Sequence, residues 1–583
     1  MKKSVLYTLL FLFALSTQAQ YYLRGEVKDN KGAAVPNVKL QLKSSSILYY
    51  TGTYGGFGIS TTVLDDSLTV FLDGYETKRL AIKSNTYQYI VLKRVIVNDN
   101  KNRQRLVSII KDFSNTSKYR SYVGDESYFT IVENDNVDGA KFPNTGFSLN
   151  INKASYSNIR RFIHMKSSVP PDAVRIEEVL NYFNLNYKEP EKNETFYIES
   201  QFTDCPWNKK TNLLYLNINA RKINMDDVPP SNLVFLVDIS GSMDLPNRLP
   251  LVKAAFQLLV KNLREIDTVS IVTYGGNVQV WLPPTSGTEK EKITQAIEEL
   301  TAGGDTPGET ALRTAYRVAK RAFIKGGNNR IILATDGDFN VGEVTEKALE
   351  DLIVWERQSG LYLTCLGVGM GNYKDSKLET LAKKGNGNYA YLDNIAEAEK
   401  VLVKEMTQTL FTVADNVFLN VQFNPSIVKE YRLIGFDNKR DAIADSTGEM
   451  EGGEIGSGNS VMAVFEIIPQ KGKITSADSA LCVPIANLSL RYNEFAQKNK
   501  KELLYVCEQN YLPYSSLHKD LQFAGAVTMF SLKLRNSKYL PITDWTDIEK
   551  VALPAIDQTK YLQKEFINIL AQAKKLYAKR KKK

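Results

Sequence analysis

Hydrophobic and polar positions change rhythm several times along this chain. From Tyr21 to about Val95 they alternate in short runs, LRGEVKDNKGAAVPNVKLQLK, GGFGISTTV, SLTVFLDGYETKRLAIK and YQYIVLK, with turn signals at Asp29 to Gly32, at Gly55 and Gly56, and at Asp73 and Gly74. Period-two alternation with regular turns predicts a small all-β sandwich over 20–95. A polar and basic linker over 96–120 follows, and then a region over 121–224 in which Ser155 to Phe162 and Val174 to Phe183 have helical spacing, broken at Pro170 and Pro171. That spacing predicts a helical hairpin. Over 225–414 short apolar runs alternate with amphipathic stretches. Strands are expected near 232–238, 268–274, 278–282, 330–335, 361–368 and 389–392, and helices near 249–263, 289–300, 309–323, 345–358, 376–384 and 395–410. The alternation predicts a mostly parallel, doubly wound sheet, with the 269–282 hairpin as its antiparallel edge. Strand-like periodicity returns over 415–518, predicting a second β-sandwich or a β-lobe wrapped on the α/β part. Helical spacing over 519–583 predicts a small cap ahead of a basic tail. The expected fold class is multidomain: a central doubly wound, Rossmann-like α/β domain, flanking all-β sandwich domains and a small C-terminal helical region.

Candidate chemistry concentrates where the first strand of the α/β part ends. The apolar run Leu233 to Val237 stops at Asp238, and Ser240 and Ser242 follow on either side of Gly241. The turn after a buried parallel strand is where such sheets place ligands, and a loop curling over the strand end can aim these three alternating oxygens at one point. Carboxylate and hydroxyl oxygens suit a hard cation. Two further loops belong to the same rim: Gly303-Gly304-Asp305-Thr306-Pro307-Gly308, ahead of an expected helix, and Thr335-Asp336-Gly337-Asp338, after an expected strand. Glycines at 241, 303, 304 and 337 let the backbone bend close to an ion. Taken alone, the first loop reads equally well as a hydroxyl-rich turn capping the next helix. Asp305, Asp338 and Glu309 read as rim or helix-start charges.

The three loops together resemble a von Willebrand factor type A domain with a metal-ion-dependent adhesion site. The resemblance implies that Asp238, Ser240, Ser242, Thr306 and Asp336 hold Mg2+, or Mn2+ or Ca2+, directly or through water, with Asp305, Gly241 and Gly337 around them. Two carboxylates and three hydroxyls leave at least one coordination position for an acidic side chain of a partner protein. At the front of the chain, Gly25-x-Val27, Gly32, Val35-Pro36-x-Val38, Gly56-Phe57 and Gly74-Tyr75 resemble the carboxypeptidase regulatory-like domain, which implies a non-catalytic spacer or docking module. Segments such as SYSNIRRF, VRIEEVLNYF, CPWN, GNNRIILATDGDFNVG and FAGAVTMFSLKLRNS are similar to a bacterial family of exported proteins, in which a type A domain sits between characteristic amino- and carboxy-terminal regions. The chain departs from that pattern at Asn150, Asn152 and Lys153, where an Asp-x-Asp-Thr arrangement is expected, at Asp305 in place of a small serine, and at Asn459 in place of a histidine. Some relatives shift their last helix on ligand binding; the corresponding stretch here is Ile395 to Thr412.

Composition adds mainly exclusions. The net charge of +9 over 583 residues is concentrated at the ends, in Lys2, Lys3 and KKLYAKRKKK, and is not a nucleic-acid footprint. Residues 1–19 have the layout of a secretory signal peptide, with an apolar core from Val5 to Leu15, so export to the periplasm or cell surface is expected, without a membrane span in the mature chain. Four cysteines are too few for a disulfide framework; Cys482 and Cys507 are either one bridge or buried thiols. With two histidines, His164 and His518, and no GxSxG, HExxH or GxxxxGK[ST], the chain lacks the usual parts for acyl transfer, zinc peptidase chemistry or NTP hydrolysis. The expected function is therefore non-enzymatic: divalent-cation-dependent binding of an acidic group on a partner protein in the bacterial envelope. The alternatives are a Mg2+- or Mn2+-dependent hydrolase with Asp305 as base, or a scaffold with a vestigial site.

Overall fold

The computed structural model describes residues 21–580 apart from 31, 46, 73–74, 94–119, 124–125, 186, 225–227, 305–307, 338–345, 371–372, 406–410, 438–452, 473, 476–482 and 495–499. The chain divides into two compact units, 1–104 and 105–583. In the first, strands from Tyr21–Asp29 to Tyr87–Leu92 form a three-stranded and a four-stranded sheet. The alternating residues Leu23, Val27, Leu40, Leu68, Ile82 and Ile90 point into one shared core. At Gly25 a Cβ would stand 2.3 Å from the Gln88 carbonyl oxygen, so this crowded point of the sheet takes glycine alone.

The centre of the second unit is a six-stranded sheet in the order Asn277–Ser286, Thr268–Gly275, Ser231–Asp238, Asn328–Thr335, Leu361–Gly367, Tyr389–Tyr391. All neighbours are parallel except the Thr268–Gly275 and Asn277–Ser286 hairpin at the edge. Helices Leu249–Lys261 and Lys290–Glu298 cover one face and Gly308–Arg321, Glu346–Gln358 and Asp375–Lys384 the other, which is why every residue of Ser231–Asp238 is buried. The chain first builds outward from Ser231–Asp238 on one side, then returns to build on the other. The order therefore reverses at that strand, and a crevice opens beyond its carboxyl end.

The last helix differs from expectation. It begins as an α-helix, Ile395–Glu399, started by the Asn394 side chain accepting from the Glu397 N–H, and continues as a π-helical turn, Lys400–Lys404; residues 406–410 of the expected 395–410 helix lie outside the described residues. Thr412, expected at the end of this helix, instead opens the strand Thr412–Phe423 of the next domain.

The regions before and after the α/β domain share their sheets. Asn212–Ala220 pairs with Phe196–Asp204 on one side and with Ser460–Pro469 on the other, so one six-stranded sheet combines strands from both regions. Thr412–Phe423, Ala486–Glu494 and Lys500–Cys507 lie in a second sheet, and Phe202, Leu214, Leu216, Val421, Phe465 and Leu488 fill the space between. Helices combine in the same way: Ala154–His164 and Ile176–Leu180 pack with Lys519–Leu534, Trp545–Ala555 and Tyr561–Arg580 around Tyr156, Phe183, Phe523, Phe530 and Phe566. The α/β domain is thus an excursion out of one β-and-helix body. Where it meets the helices the contact is buried and ionic. Arg160 bridges Asp393, Glu397 and Glu565, and Arg175 bridges Glu178 and Asp375; beside them, within the preceding region, Arg161 pairs with Glu126.

Among the described residues no helix is long and apolar enough to cross a membrane. Cys205, Cys365 and Cys507 are buried free thiols, and Cys482 lies outside the described residues.

Candidate metal centre

Asp238 ends the central strand at the point where the strand order reverses, and none of it is exposed. Its Oδ1 accepts from the Ser240 N–H at 2.9 Å, and its Oδ2 accepts from the Thr335 hydroxyl at 2.8 Å. The Ser240 and Ser242 hydroxyls lie 3.1 Å apart. Thr335 ends the neighbouring parallel strand and also accepts the Gly337 N–H at 3.2 Å, so it ties the first loop to the third. The second loop is held by backbone: Gly303 N–H donates to the Ile239 carbonyl at 2.6 Å, and Gly241 N–H donates to the Gly304 carbonyl at 3.1 Å. Two of the glycines are required by shape. Gly304 has φ +84° and Gly337 has φ +95°, and a Cβ would meet the Gly276 N at 2.5 Å or the Lys374 N at 2.6 Å.

Burial pushes the Asp238 carboxyl up to about 6, against the downward pull of its hydrogen bonds from Ser240 and Thr335; the Asp336 charge adds to the rise. Among the described residues no lysine or arginine pairs with it. A carboxylate removed from water without a cation is a destabilising charge, and a positive ion is what would relieve it. Asp336, 2% exposed, directly follows the adjacent strand Asn328–Thr335. Hard oxygens from Asp238, Ser240, Ser242 and Asp336 therefore fit a hard divalent ion. Among the described residues no group of three His, Cys, Asp or Glu side chains is arranged to hold a metal ion, so an ion here depends on hydroxyls as well as the two carboxylates. Thr306 and Asp305, also expected at the site, lie outside the described residues, as does Asp338. Gly241 and Gly337 stand within the first and third loops as expected.

The family described as von Willebrand factor type A domain matches residues 233–338, the one described as von Willebrand factor matches 122–215, and the one described as uncharacterized protein YfbK, C-terminal, matches 408–576. YfbK of Escherichia coli is 37% identical over 471 residues, 77% of this chain and 81% of that protein. The chain belongs to the YfbK family. The magnesium-chelatase 67 kDa subunit of Chlorobaculum parvum is 31% identical over 211 residues, 33% of each chain. Among solved structures, a von Willebrand factor type A protein from Catenulispora acidiphila is similar with a TM-score of 0.35 at 15% identity, over 56% of this chain and 75% of that one.

In this YfbK-family chain the site contains residues that motif reading passes over. Arg248, buried ahead of helix Leu249–Lys261, donates to Asp336 Oδ2 at 2.6 Å. A cation at a helix N-cap opposes the helix dipole; that misplacement is the signal that could have found it. Tyr274, wholly buried at the end of the neighbouring strand, has its phenol pushed well up, first by burial and then by the Asp238 charge. Of the two histidines, His164 is exposed, and His518 is 72% exposed and caps helix Lys519–Leu534.

Proposed function

We propose that this protein holds a divalent cation, magnesium or in its place manganese or calcium, at the Asp238 rim, and that it binds an acidic group of a protein partner there without catalysing a reaction. The observation that carries this is Asp238 itself: a wholly buried carboxylate at the switch point of a parallel sheet, beside two serine hydroxyls, with a second buried carboxylate directly after the adjoining strand. Asp238, Ser240 and Ser242 hold the ion from the first loop and Asp336 from the third, with Thr306 as the donor expected from the second. When bound, the ion supplies positive charge and a coordination position open to a partner's carboxylate. Type A domains commonly serve in protein binding, in line with this use. The chelatase subunit carries magnesium in its name, and the hard-oxygen donors here suit the same ion. The signal-like pattern of residues 1–19 supports work in the envelope, from the periplasm or the cell surface.

The test is capture of partners from an envelope extract, with and without chelator, comparing the native chain with Asp238→Ala and Asp336→Ala. A partner retained by the native chain in magnesium and lost from both variants and in chelator is the expected result. Equal retention in all conditions rules out the ion bridge.

A further inference from the structure

We infer that Arg248 sets the charge of the ion-loaded rim and thereby selects an anionic group on the partner; this rests on the divalent-ion reading of the Asp238 site. Arg248 is 7% exposed, and its guanidinium joins three loops. Nη1 donates to Asp336 Oδ2 and to the Ser242 carbonyl, each at 2.6 Å, and Nη2 donates to the Met370 carbonyl at 2.9 Å. Gly369 makes the room: its φ is +77°, and a Cβ there would stand 2.5 Å from Arg248 Nε. The arginine is therefore built into the rim, fixed by the backbone of the loops on either side of Asp336.

Its charge changes what the rim can attract. Asp238, Asp336 and Arg248 are charged side chains hydrogen-bonded into the three-loop rim. Whatever the rest of the three loops contributes, Arg248 makes the rim one unit more positive, both before and after a divalent ion binds. An arriving carboxylate is attracted by that added charge, whereas a neutral amide or hydroxyl is not. Without Arg248 the loaded rim is one unit less positive, and a carboxylate loses that attraction. Arg248 thus weakens the hold on the cation and strengthens the hold of the loaded rim on an anion. Both follow from one charge a few ångströms from the ion in a water-poor site, where charge–charge interactions are strong.

The full-length chain and its Arg248→Gln and Arg248→Lys variants are titrated with Mn2+, followed by water-proton relaxation, and the loaded proteins are then titrated with acetate and with acetamide. Arg248→Gln is expected to bind Mn2+ about tenfold more tightly than the native chain, and to need about tenfold more acetate for the same loss of relaxation enhancement. Acetamide should not distinguish them. Arg248→Lys retains the charge without the planar fork and should stay within about threefold of the native chain in both titrations, which separates charge from integrity of the rim. Equal Mn2+ affinity and equal acetate sensitivity in the native chain and Arg248→Gln overturn the inference and leave the ion site standing. Failure of both to bind Mn2+ overturns the ion site and the inference with it.

Discussion

The rim around Asp238 and the seam between the α/β domain and the helical cluster both bury carboxylates, and they treat them in opposite ways. At the seam the chain supplies its own cations: Arg160 meets Asp393, Glu397 and Glu565, and Arg175 meets Glu178 and Asp375, each arginine nearly inaccessible to water. Even there burial is strong enough to push Asp375 up to about 6 in spite of Arg175. At the rim Asp238 is held by a hydroxyl and an amide, with no paired cation among the described residues, and Arg248 serves Asp336 instead. Charge matched from within the chain fixes how domains dock; charge left unmatched marks a place for something brought from outside.

The largest effect that tests this contrast lies at the seam. Arg160→Ala leaves the buried Glu397 and the partly buried Asp393 and Glu565 without their shared cation and should cost about 3–5 kcal/mol in denaturant unfolding. A loss under about 1 kcal/mol would show that the seam pairs are incidental.

Glu177 is an intermediate case, buried near the seam with Oε2 accepting the Phe436 N–H at 2.7 Å. Burial, then the charges of Asp437 and Glu178, push its carboxyl up to about 7. Because this lies above the unfolded value near 4.5, the native state holds the proton longer. The associated stability is fully present below about pH 4.5 and is lost as pH rises through about 7, a change of about 3 kcal/mol at most. Glu177→Gln should flatten that slope in unfolding curves taken from pH 4 to 8, and an unchanged slope would remove Glu177 as its source.

At the rim the sign is expected to reverse from that at Arg160. Asp238→Asn removes an unmatched buried charge, so in chelator its melting temperature should equal or exceed that of the native chain. It should lose the magnesium-dependent stabilisation, about 2.7 kcal/mol at a hundredfold excess over Kd. A native-like magnesium shift in this variant would place the ion elsewhere. The smallest effect is at Gly337, where alanine meets both a positive φ and the Lys374 backbone; Gly337→Ala should cost about 1–3 kcal/mol and weaken ion binding, both read from melts with and without magnesium.

Legibility in the sequence followed the range of the interactions. The strands of the α/β sheet stand close to their expected positions because each is a short apolar run between amphipathic helices, and Asp238, Ser240, Ser242 and Asp336 fall at its strand ends for the same local reason. The sharing of sheets across the α/β domain left no local trace: Asn212 pairs with Ile467, and nothing in the periodicity of either strand names the other. The burial of Arg160 and Arg161 is not written in the helical spacing of their own segment, because their counter-charges arrive from other parts of the chain. Arg248 escaped notice for the same reason, since its partners Asp336 and Met370 come from other loops. Within the expected helix from 395 to 410, the change to a π-helical turn at Lys400–Lys404 is invisible to periodicity because it keeps an apolar spacing that resembles a continuing helix.

The most direct test of the central claim is calorimetric titration of magnesium into the chelator-treated native chain and into Asp238→Ala. A single saturable site in the native chain that disappears in the variant is the predicted result. Identical binding by both, or no binding by either, would contradict a cation site at Asp238.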